Sequence, residues 1–442
     1  MSALCGTPYD AWIARRTGSE PSRPLNLQTL RRYQLARLND VLALARAHSP
    51  FYQRHLAAHA PRLDNLAQLE RLPFTTPDDI RRHGLQMLCL SQRAISHAVT
   101  LETSGTTGPP KRLFFTEEEQ ARTLEIFAVS LSQIVRPGDA AAILLPAARP
   151  GGVGDLLCRA VLALDAVPVR FGLVSRLPEA LEALRTHAVT CAVGVPVQLL
   201  ALARYHAAHH KRPPLCLRHV LLCTDRASPP LREAIERVWN CHVITYYGMT
   251  ESGFGGGMEC PARCGYHLQE ADFYIELIDP LTGLPVEEGR QGEITVTTLS
   301  RGGMPLIRYR TGDLSRFLPG ACPCGSALRR LDIIPSRITE SVRLGASGLL
   351  AMADLDAALF PLESVINVSA RLIPDAPGNL LEIDLLTLDG SMPVQAAEEA
   401  VTGIAAVGDA LRAGELRLRL TATPAGDTIA ASAAKRRIVT NL

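Results

Sequence analysis

The chain has little net charge, few aromatic residues and no long apolar run. Its 442 residues include 46 Lys and Arg against 44 Asp and Glu, which argues against a nucleic-acid binder or a protein held to a membrane by a basic face. No apolar run approaches the roughly 20 residues of a spanning helix, and the first residues lack the apolar core of a signal peptide. Eleven cysteines, an odd number without a secretory signal, favour reduced thiols or a metal site over a disulfide framework. We therefore expect a cytoplasmic enzyme with no nucleic-acid or membrane partner.

The pattern of apolar residues predicts an α/β fold. Short apolar runs alternate with helical patterns through the middle of the chain, as in parallel-sheet architectures. Phe273–Asp279 and Glu293–Leu299 flank the turn-rich stretch Pro280–Gly289 and predict a hairpin. After about Asp332 the pattern changes to that of a small α+β unit of about 100 residues, with one helix near Val394–Gly408. Thr116 with Glu119 forms a capping box and predicts a helix start after an apolar strand. We predict a large domain over residues 1–336 and a small domain over residues 337–442.

A hydroxyl-rich loop, Thr103–Lys111, is the strongest chemical signal. Its glycines let the backbone approach an anion, while its hydroxyl groups and backbone N–H groups can donate to phosphate oxygens. Lys111 adds a positive charge. The alternative is a flexible turn, because Gly, Ser, Thr and Pro are also loop residues. The loop is not a Walker motif, since its spacing differs and a strand follows it.

Two further blocks carry acidic and hydroxyl side chains. Tyr246–Gly253 follows a predicted strand, at the end of the sheet where open α/β sheets bind ligands. Its adjacent Thr250 and Glu251 can hold Mg²⁺ and a phosphate oxygen. Met304–Asp313 ends in a carboxylate that can accept hydrogen bonds from a ribose diol, although a surface turn with an Arg–Asp pair is the alternative.

Together the three blocks resemble the acyl-adenylate-forming (AMP-forming) synthetase superfamily, in that family's order and approximate spacing. The chain is most similar to the phenylacetate–CoA ligase-like branch, through Ser49–Tyr52, Leu72–Thr76, Glu259-Cys260 leading to His267, and Gly292–Leu299. The resemblance covers nearly the whole chain. It implies a large, multi-subdomain adenylate-forming N-terminal domain and a small, mobile α+β C-terminal domain.

The resemblance also implies a role for each matching residue around ATP. The loop over the β- and γ-phosphates would comprise Ser104, Gly105, Thr106, Thr107, Gly108 and Lys111. Thr250 and Glu251 would contact the α-phosphate and Mg²⁺. Asp313 would hold the ribose hydroxyls. Tyr247 would stack near the adenine or border the acyl pocket.

The remaining implied residues lie in the middle and at the end of the chain. Asp225 belongs to the loop that matches the family's loop beside the adenine, although that loop is usually rich in Gly and Ala. Arg337 matches the arginine that begins the hinge, where Ser336 and Thr339 replace the family's usual Gly and Asp. Lys435 matches the catalytic lysine, which would bridge the substrate carboxylate and the α-phosphate.

Two short turns place four cysteines and a histidine where they could hold a metal. Zinc prefers four nitrogen or sulfur ligands in a tetrahedron, and paired ligands in turn-rich loops suit it. We predict a structural site made by Cys260, His267, Cys322 and Cys324, with Cys264 as a substitute ligand. The branch includes members with zinc at corresponding cysteines. The alternative is a set of free surface thiols.

These expectations define a two-step ligase that uses ATP, Mg²⁺ and coenzyme A, with structural Zn²⁺. The substrate would be a small carboxylic acid, either aryl or arylacetic. Gly253–Gly257 could line a flat apolar pocket for it, with space at the glycines for a ring and Phe254 stacked on that ring. One alternative is an adenylating enzyme that transfers the acyl group to a carrier protein or to a sulfur donor. Another is a weakened nucleotide-binding homologue, which the changed hinge motivates. A homodimer is common in the branch, but the sequence carries no interface signature.

Overall fold

The computed structural model describes residues 6–101, 110–209, 214–334, 336–338, 340–346, 348–375, 378–391 and 394–440. Its helices are, in chain order, α1 (Pro8–Arg16), α2 (Leu27–His48), α3 (Pro50–His55), α4 (Pro77–His83), α5 (Glu117–Leu131), α6 (Val153–Leu162), α7 (Leu177–Thr186), α8 (Pro196–Ala208), α9 (Pro229–Trp239), α10 (Met352–Leu359), α11 (Val394–Thr402) and α12 (Ala405–Arg412). Its strands are β1 (His97–Leu101), β2 (Lys111–Phe115), β3 (Ala140–Leu144), β4 (Val167–Arg170), β5 (Cys191–Gly194), β6 (His219–Leu222), β7 (His242–Gly248), β8 (Gly256–Glu259), β9 (Tyr266–Leu268), β10 (Phe273–Ile278), β11 (Gly292–Thr298), β12 (Tyr309–Ser315), β13 (Arg330–Leu331), β14 (Ser336–Arg337), β15 (Ser341–Arg343), β16 (Leu349–Ala351), β17 (Val365–Asp375), β18 (Gly378–Thr387), β19 (Leu416–Pro424) and β20 (Ile438–Thr440). Among these elements no helix is both long enough and apolar enough to cross a lipid bilayer.

The chain folds into two compact units, each built from two separate stretches of sequence. The first unit combines residues 1–133 with 246–334, and the second combines 134–245 with 335–442. The second unit therefore contains the whole predicted small domain together with part of the predicted large domain. This grouping describes packing, and the predicted domain boundary between residues 336 and 337 stays a prediction.

The first unit is mainly antiparallel. Strands β10, β11 and β12 form one sheet, β1 and β2 form a hairpin, and the end of β7 pairs with β8, which continues through β9 to β13. The apolar stripe of α2, which includes Leu38 and Leu42, packs with Tyr52 of α3, Leu113 of β2 and Tyr309 of β12 in one buried cluster. Because this core holds both β2 and β12, it fixes the strands that carry Lys111 and Asp313.

The second unit contains a parallel sheet and a smaller mixed sheet. The parallel sheet has the order β4-β3-β5-β6-β7. Its strands are short and, apart from the edge strand β4, largely buried, as the alternating sequence pattern predicts. The smaller sheet has the order β19-β18-β17-β20. Side chains of both sheets, such as Ala192 of β5 and Val368 of β17, belong to a single hydrophobic cluster. The stretch 335–442 is thus packed onto 134–245 by apolar burial.

Most of the local predictions are confirmed, and one helix is wrong. The Thr116 hydroxyl accepts a hydrogen bond from the Glu119 backbone N–H at 3.2 Å, and the Glu119 carboxylate accepts one from the Thr116 N–H at 3.0 Å, which begins α5 as predicted. The sequence indicates one helix near Val394–Gly408, but the structure has two, α11 and α12. Gly403 separates them, because glycine gains little from a helix interior and adapts readily to a turn.

Candidate active site and metal centre

Lys111 and Glu251 form a buried ion pair in the first unit. Lys111 begins β2, immediately after the hydroxyl-rich loop, whose predicted phosphate-binding residues Ser104–Gly108 lie outside the described part of the chain. Its ammonium group contacts the Glu251 carboxylate, and the Tyr309 hydroxyl donates to the same Oε1 atom at 3.0 Å. Burial would raise the pKa of Glu251, but the charge of Lys111 and the hydrogen bonds outweigh burial and hold the pKa below its ordinary value. Glu251 is therefore ionised at neutral pH.

Arg301 supports the backbone of this group. Its guanidinium donates to the carbonyl oxygen of Glu251 and, at 2.8 Å, to that of Phe114. It also lies over the Phe115 ring, 4.5 Å from the centroid, and is only 4% exposed. Arg301 could not be predicted from the sequence, because an arginine directly after a predicted strand is not by itself a recognisable signal. Tyr309 lies in the block Met304–Asp313, but its contact with Glu251 could not be predicted from the sequence.

Asp313 and Tyr247 form a second buried pair. The Tyr247 hydroxyl donates to Oδ2 of Asp313 at 3.1 Å, and the Asp313 backbone N–H donates to the Thr311 hydroxyl at 3.0 Å. Asp313 is 3% exposed. The two predicted nucleotide contacts are thus brought together on neighbouring pieces of sheet, with one carboxylate oxygen, Oδ2, already engaged by the tyrosine.

Arg308, next to Tyr309, fixes the block that leads to Asp313. Its guanidinium contacts both carboxylate oxygens of Glu276, at 3.0 and 3.2 Å, and donates to the carbonyl oxygens of Glu70 and Leu72, each at 2.7 Å. The side chain is almost fully buried. Its many partners show that this arginine anchors the start of β12 to the surrounding loops.

Thr250 and Glu251 lie in one short turn, and the glycines after them are tightly packed. The turn Thr250–Ser252 is a 3₁₀ helix that ends at Gly253. The sequence suggests that Gly253–Gly257 line a flat apolar pocket in which the glycines at 255–257 leave space for a ring. However, a Cβ atom added at any of these three glycines would meet another atom at 2.4–2.7 Å. These glycines therefore allow close approach of neighbouring chain segments and leave no open space.

Four predicted metal ligands converge in the first unit. The sulfur atoms of Cys260 and Cys322 lie 3.6 Å apart, and Cys324 Sγ lies 3.3 Å from Nε2 of His267. All four ligand atoms are within 4.8 Å of one another. Burial lowers the pKa of His267 to about 4, so its ring is neutral at neutral pH, which is the form that binds metals. Cys264 is not part of this group, and its thiol donates to the Ala262 carbonyl.

The other predicted site residues belong to the second unit. The Asp225 carboxylate contacts Arg436, the residue after Lys435, at 3.3 Å. The Arg337 guanidinium lies 3.7 Å from Glu340. Lys435 itself is exposed at the end of an irregular segment. The structure thus groups Lys111 with Glu251 and Tyr247 with Asp313 in one unit, and Asp225 with the neighbour of Lys435 in the other.

Comparison with known proteins defines the class of this chain. A model described as the AMP-binding enzyme matches residues 43–300. The match spans more than half of the chain. The chain therefore belongs to the AMP-binding enzyme family and, within it, to the phenylacetate–CoA ligase-like branch.

Curated relatives support the branch. The chain is 31% identical over 327 residues to phenylacetate-coenzyme A ligase of Thermus thermophilus, a match that covers 71% of each chain. It is 29% identical over 335 residues to phenylacetate-coenzyme A ligase of Pseudomonas putida, covering 73% of this chain and 74% of the relative. Among solved structures, 2-hydroxyisobutyryl-CoA ligase in its postadenylation state has a TM-score of 0.76 at 23% identity, over 92% of this chain and 89% of that one. This likeness confirms the α/β adenylate-forming fold.

Membership of this family and branch confirms the predicted class of reaction. The chain is an AMP-forming acid–CoA ligase, in which ATP activates a carboxylic acid as an acyl-adenylate and coenzyme A then takes the acyl group. ATP and coenzyme A are therefore the cosubstrates.

Proposed function

We propose that this ligase activates an aryl or arylacetic acid, with its ring close to the aromatic side chains near Glu251. The observation that carries the proposal is the ionised, buried Glu251, which Lys111 and Tyr309 hold in the turn that leads directly to an aromatic cluster. In that cluster the Phe127 ring lies 6.2 Å from the ring of Tyr246 and 6.4 Å from that of Phe254. Aromatic rings in edge-to-face and tilted arrangements are well suited to contact a flat substrate.

In the first step a carboxylate oxygen of the acid bonds to the α-phosphorus of ATP, and the bond from that phosphorus to pyrophosphate breaks. Lys435 stabilises the negative charge that builds on the α-phosphate. Lys111, with the hydroxyl-rich loop before it, binds the β- and γ-phosphates, and Asp313 accepts hydrogen bonds from the ribose. Holding both reactants in line supplies much of the rate enhancement.

In the second step the thiol of coenzyme A attacks the acyl carbon, AMP leaves, and the thiol proton passes to solvent. The small domain rotates between the steps and takes Lys435 out of the site, with Arg337 at the start of the hinge. Thr250 contacts the α-phosphate. Tyr247 stacks near the adenine. Asp225 lies in the loop beside the adenine, where Arg436 and the Arg226 backbone N–H engage its two carboxylate oxygens.

Mg²⁺ and Zn²⁺ complete the proposal. The ionised carboxylate of Glu251 and the adjacent hydroxyl of Thr250 are hard oxygen donors, which fit Mg²⁺, and the ion would offset phosphate charge. Three thiols and one neutral imidazole fit Zn²⁺. With four protein ligands, that site would be structural. A homodimer and a cytoplasmic location also remain proposals.

The test is pyrophosphate release from Mg·ATP with a panel of aryl, arylacetic, heteroaryl and aliphatic acids, each with and without coenzyme A. The proposal predicts release with aryl or arylacetic acids and stimulation by coenzyme A. Release with aliphatic acids alone would contradict the proposed substrate class. Release that coenzyme A does not stimulate would indicate a carrier-protein or sulfur-donor acceptor, and no release from protein that binds ATP would indicate a weakened homologue.

A further inference from the structure

The segment that carries Lys435 is fastened to the parallel-sheet part of the second unit. The buried side chain of Gln198 donates to the carbonyl oxygens of Ala430 and Ser432, at 3.2 and 3.1 Å. The Ile429 backbone N–H donates to the Ser175 carbonyl oxygen at 2.9 Å. Thr428 forms an isolated antiparallel β-bridge with Arg176, and the rest of the segment up to β20 is irregular. These contacts and those that follow therefore determine its path.

Arg436 is the most strongly held residue of this segment. Its two terminal nitrogens donate to the two carboxylate oxygens of Asp356, at 2.7 and 2.6 Å, in a bidentate pair. Its Nε lies 3.3 Å from Oδ2 of Asp225, and its backbone N–H lies 3.4 Å from the same oxygen. The guanidinium also lies 5.4 Å from the centroid of the Phe360 ring.

All three charged side chains are largely removed from solvent. The Asp356 side chain is 2% exposed, that of Asp225 6% and that of Arg436 13%. Two buried carboxylates share one guanidinium, so removing Arg436 would leave both of them without this counter-charge. Asp225 is fully engaged, because its other oxygen accepts from the Arg226 backbone N–H at 2.9 Å.

The two carboxylates differ in what they connect. Asp356 and Arg436 both belong to the stretch 335–442, so their pair is internal to the predicted small domain. Asp225 belongs to the stretch 134–245, so its contact ties that domain to the α/β part of the unit. A rotation of the small domain would keep the first pair and break the second.

We propose that Asp225 is a positioning residue that acts through Arg436 to place Lys435 for adenylation. This inference rests on the proposed role of Lys435. Lys435 is the adjacent residue, so the position of its backbone follows that of the clamped arginine. We call the contact between Asp225 and Arg436 the latch. Asp225 would then act in the adenylation step mainly through the latch, and its mutation would not weaken ATP binding.

The test measures the two half-reactions of the full-length protein separately for Asp225→Asn, Arg436→Met and their double variant. Adenylation is followed by acid-dependent pyrophosphate release, and thioester formation by adding coenzyme A to synthetic acyl-adenylate. The latch predicts that Asp225→Asn lowers the adenylation rate by about 10- to 100-fold, because small displacements of a catalytic group are costly. It also predicts an ATP dissociation constant and a thioester rate within about twofold of the unmodified protein.

The adenylation rates of the single, double and control variants can also be compared with one another. Because both act on one contact, the double variant should be no slower than Arg436→Met alone. Arg436→Lys should recover part of the rate, since it keeps the charge but not the bidentate geometry. Arg237→Met is the matched control, because Arg237 and Glu363 also join the two stretches, at 3.3 Å, but are well exposed. Its adenylation rate should be unchanged.

A tenfold or greater rise in the ATP dissociation constant of Asp225→Asn would overturn the latch and assign Asp225 to nucleotide contact. Equal losses in both half-reactions, or no loss in either, would also overturn it. Absence of acid-dependent pyrophosphate release from the unmodified protein would be a failure of the proposed function, which this design separates from a failure of the latch.

Discussion

Phe254 adopts a backbone conformation that large side chains rarely accept. Its φ angle is +64°, in the left-handed region where glycine is favoured, and it lies three residues after Glu251. The carbonyl oxygen of Phe254 accepts from the Tyr246 hydroxyl at 2.9 Å, and its N–H donates to the Met249 carbonyl at 2.8 Å. Strained residues of this kind cluster at functional sites. The half-buried ring belongs to the aromatic cluster that the proposed function assigns to the acyl group.

Replacing Phe254 by glycine and by alanine separates the strain from the ring. Both changes remove the aromatic ring, but only alanine retains a Cβ atom at the positive φ. We expect Phe254→Gly to be more stable than Phe254→Ala by about 1 kcal/mol in the free energy of unfolding, measured by chemical denaturation. Equal stability, or a more stable alanine variant, would show that the turn imposes no such strain.

Asp272 is a buried carboxyl with a predicted effect on pH-dependent stability. Its side chain is 1% exposed, and the nearest guanidinium nitrogens, of Arg122 and Arg16, lie 3.6 and 4.0 Å away. Burial raises the pKa of Asp272 to about 6, although Arg16 opposes the shift. The folded chain therefore keeps a proton that the unfolded chain releases near pH 4, and stability falls as the pH rises from about 4 to 6.

Asp272→Asn removes this titration. We expect the stability of the variant relative to the unmodified protein to increase as the pH rises from about 4 to 6 and to stay constant above that range. Thermal unfolding of both proteins across this pH range measures the difference. A difference that stays flat or decreases with rising pH would contradict the assigned pKa.

At the scale of elements, the sequence predicts regular structure better than it predicts close packing. The capping box at Thr116 and the hairpin of β10 and β11 follow from local rules, and both are confirmed. The packing of the glycines at 255–257 could not be predicted from local rules, because glycine suits both an open pocket and a tight contact between strands. Arg301 was missed for a similar reason, since its partners are backbone carbonyls that carry no sequence signal.

At the scale of elements, the proposed zinc site can be tested with a closely matched control variant. Cys260→Ser removes one of the four converging ligands, whereas Cys264→Ser removes a nearby thiol outside the group. We expect Cys260→Ser to lose bound zinc, measured by elemental mass spectrometry, and to unfold about 5 °C or more below the unmodified protein. Cys264→Ser should keep both its zinc and its unfolding temperature.

Loss of zinc from both variants, or from neither, would contradict the assigned ligand set. The grouping could be predicted from the sequence because cysteine and histidine pairs in short turns carry a recognisable spacing. The choice between Cys260 and Cys264 as the ligand could not be predicted from the sequence, since it depends on how β8 and β9 place the two thiols in space.

At the scale of the whole molecule, nearly all of the basic residues are arginines and very few are lysines. Only three of the 46 Lys and Arg residues are lysines, Lys111, Lys211 and Lys435. Two of these three are predicted phosphate-binding residues, and lysine provides the compact point charge that suits a phosphate. Arginine, by contrast, makes the fixed structural pairs of both units, as at Arg308 and Arg436.

The central claim is that the acid becomes an acyl-adenylate, and isotope transfer tests it most directly. An acid from the active part of the panel is labelled with ¹⁸O in its carboxylate and incubated with Mg·ATP and coenzyme A, and the products are analysed by mass spectrometry. Because a carboxylate oxygen bonds to the α-phosphorus and stays there when coenzyme A takes the acyl group, we predict one ¹⁸O atom in AMP and none in pyrophosphate. Formation of ADP with ¹⁸O in inorganic phosphate would contradict the account, since it would show activation at the γ-phosphorus.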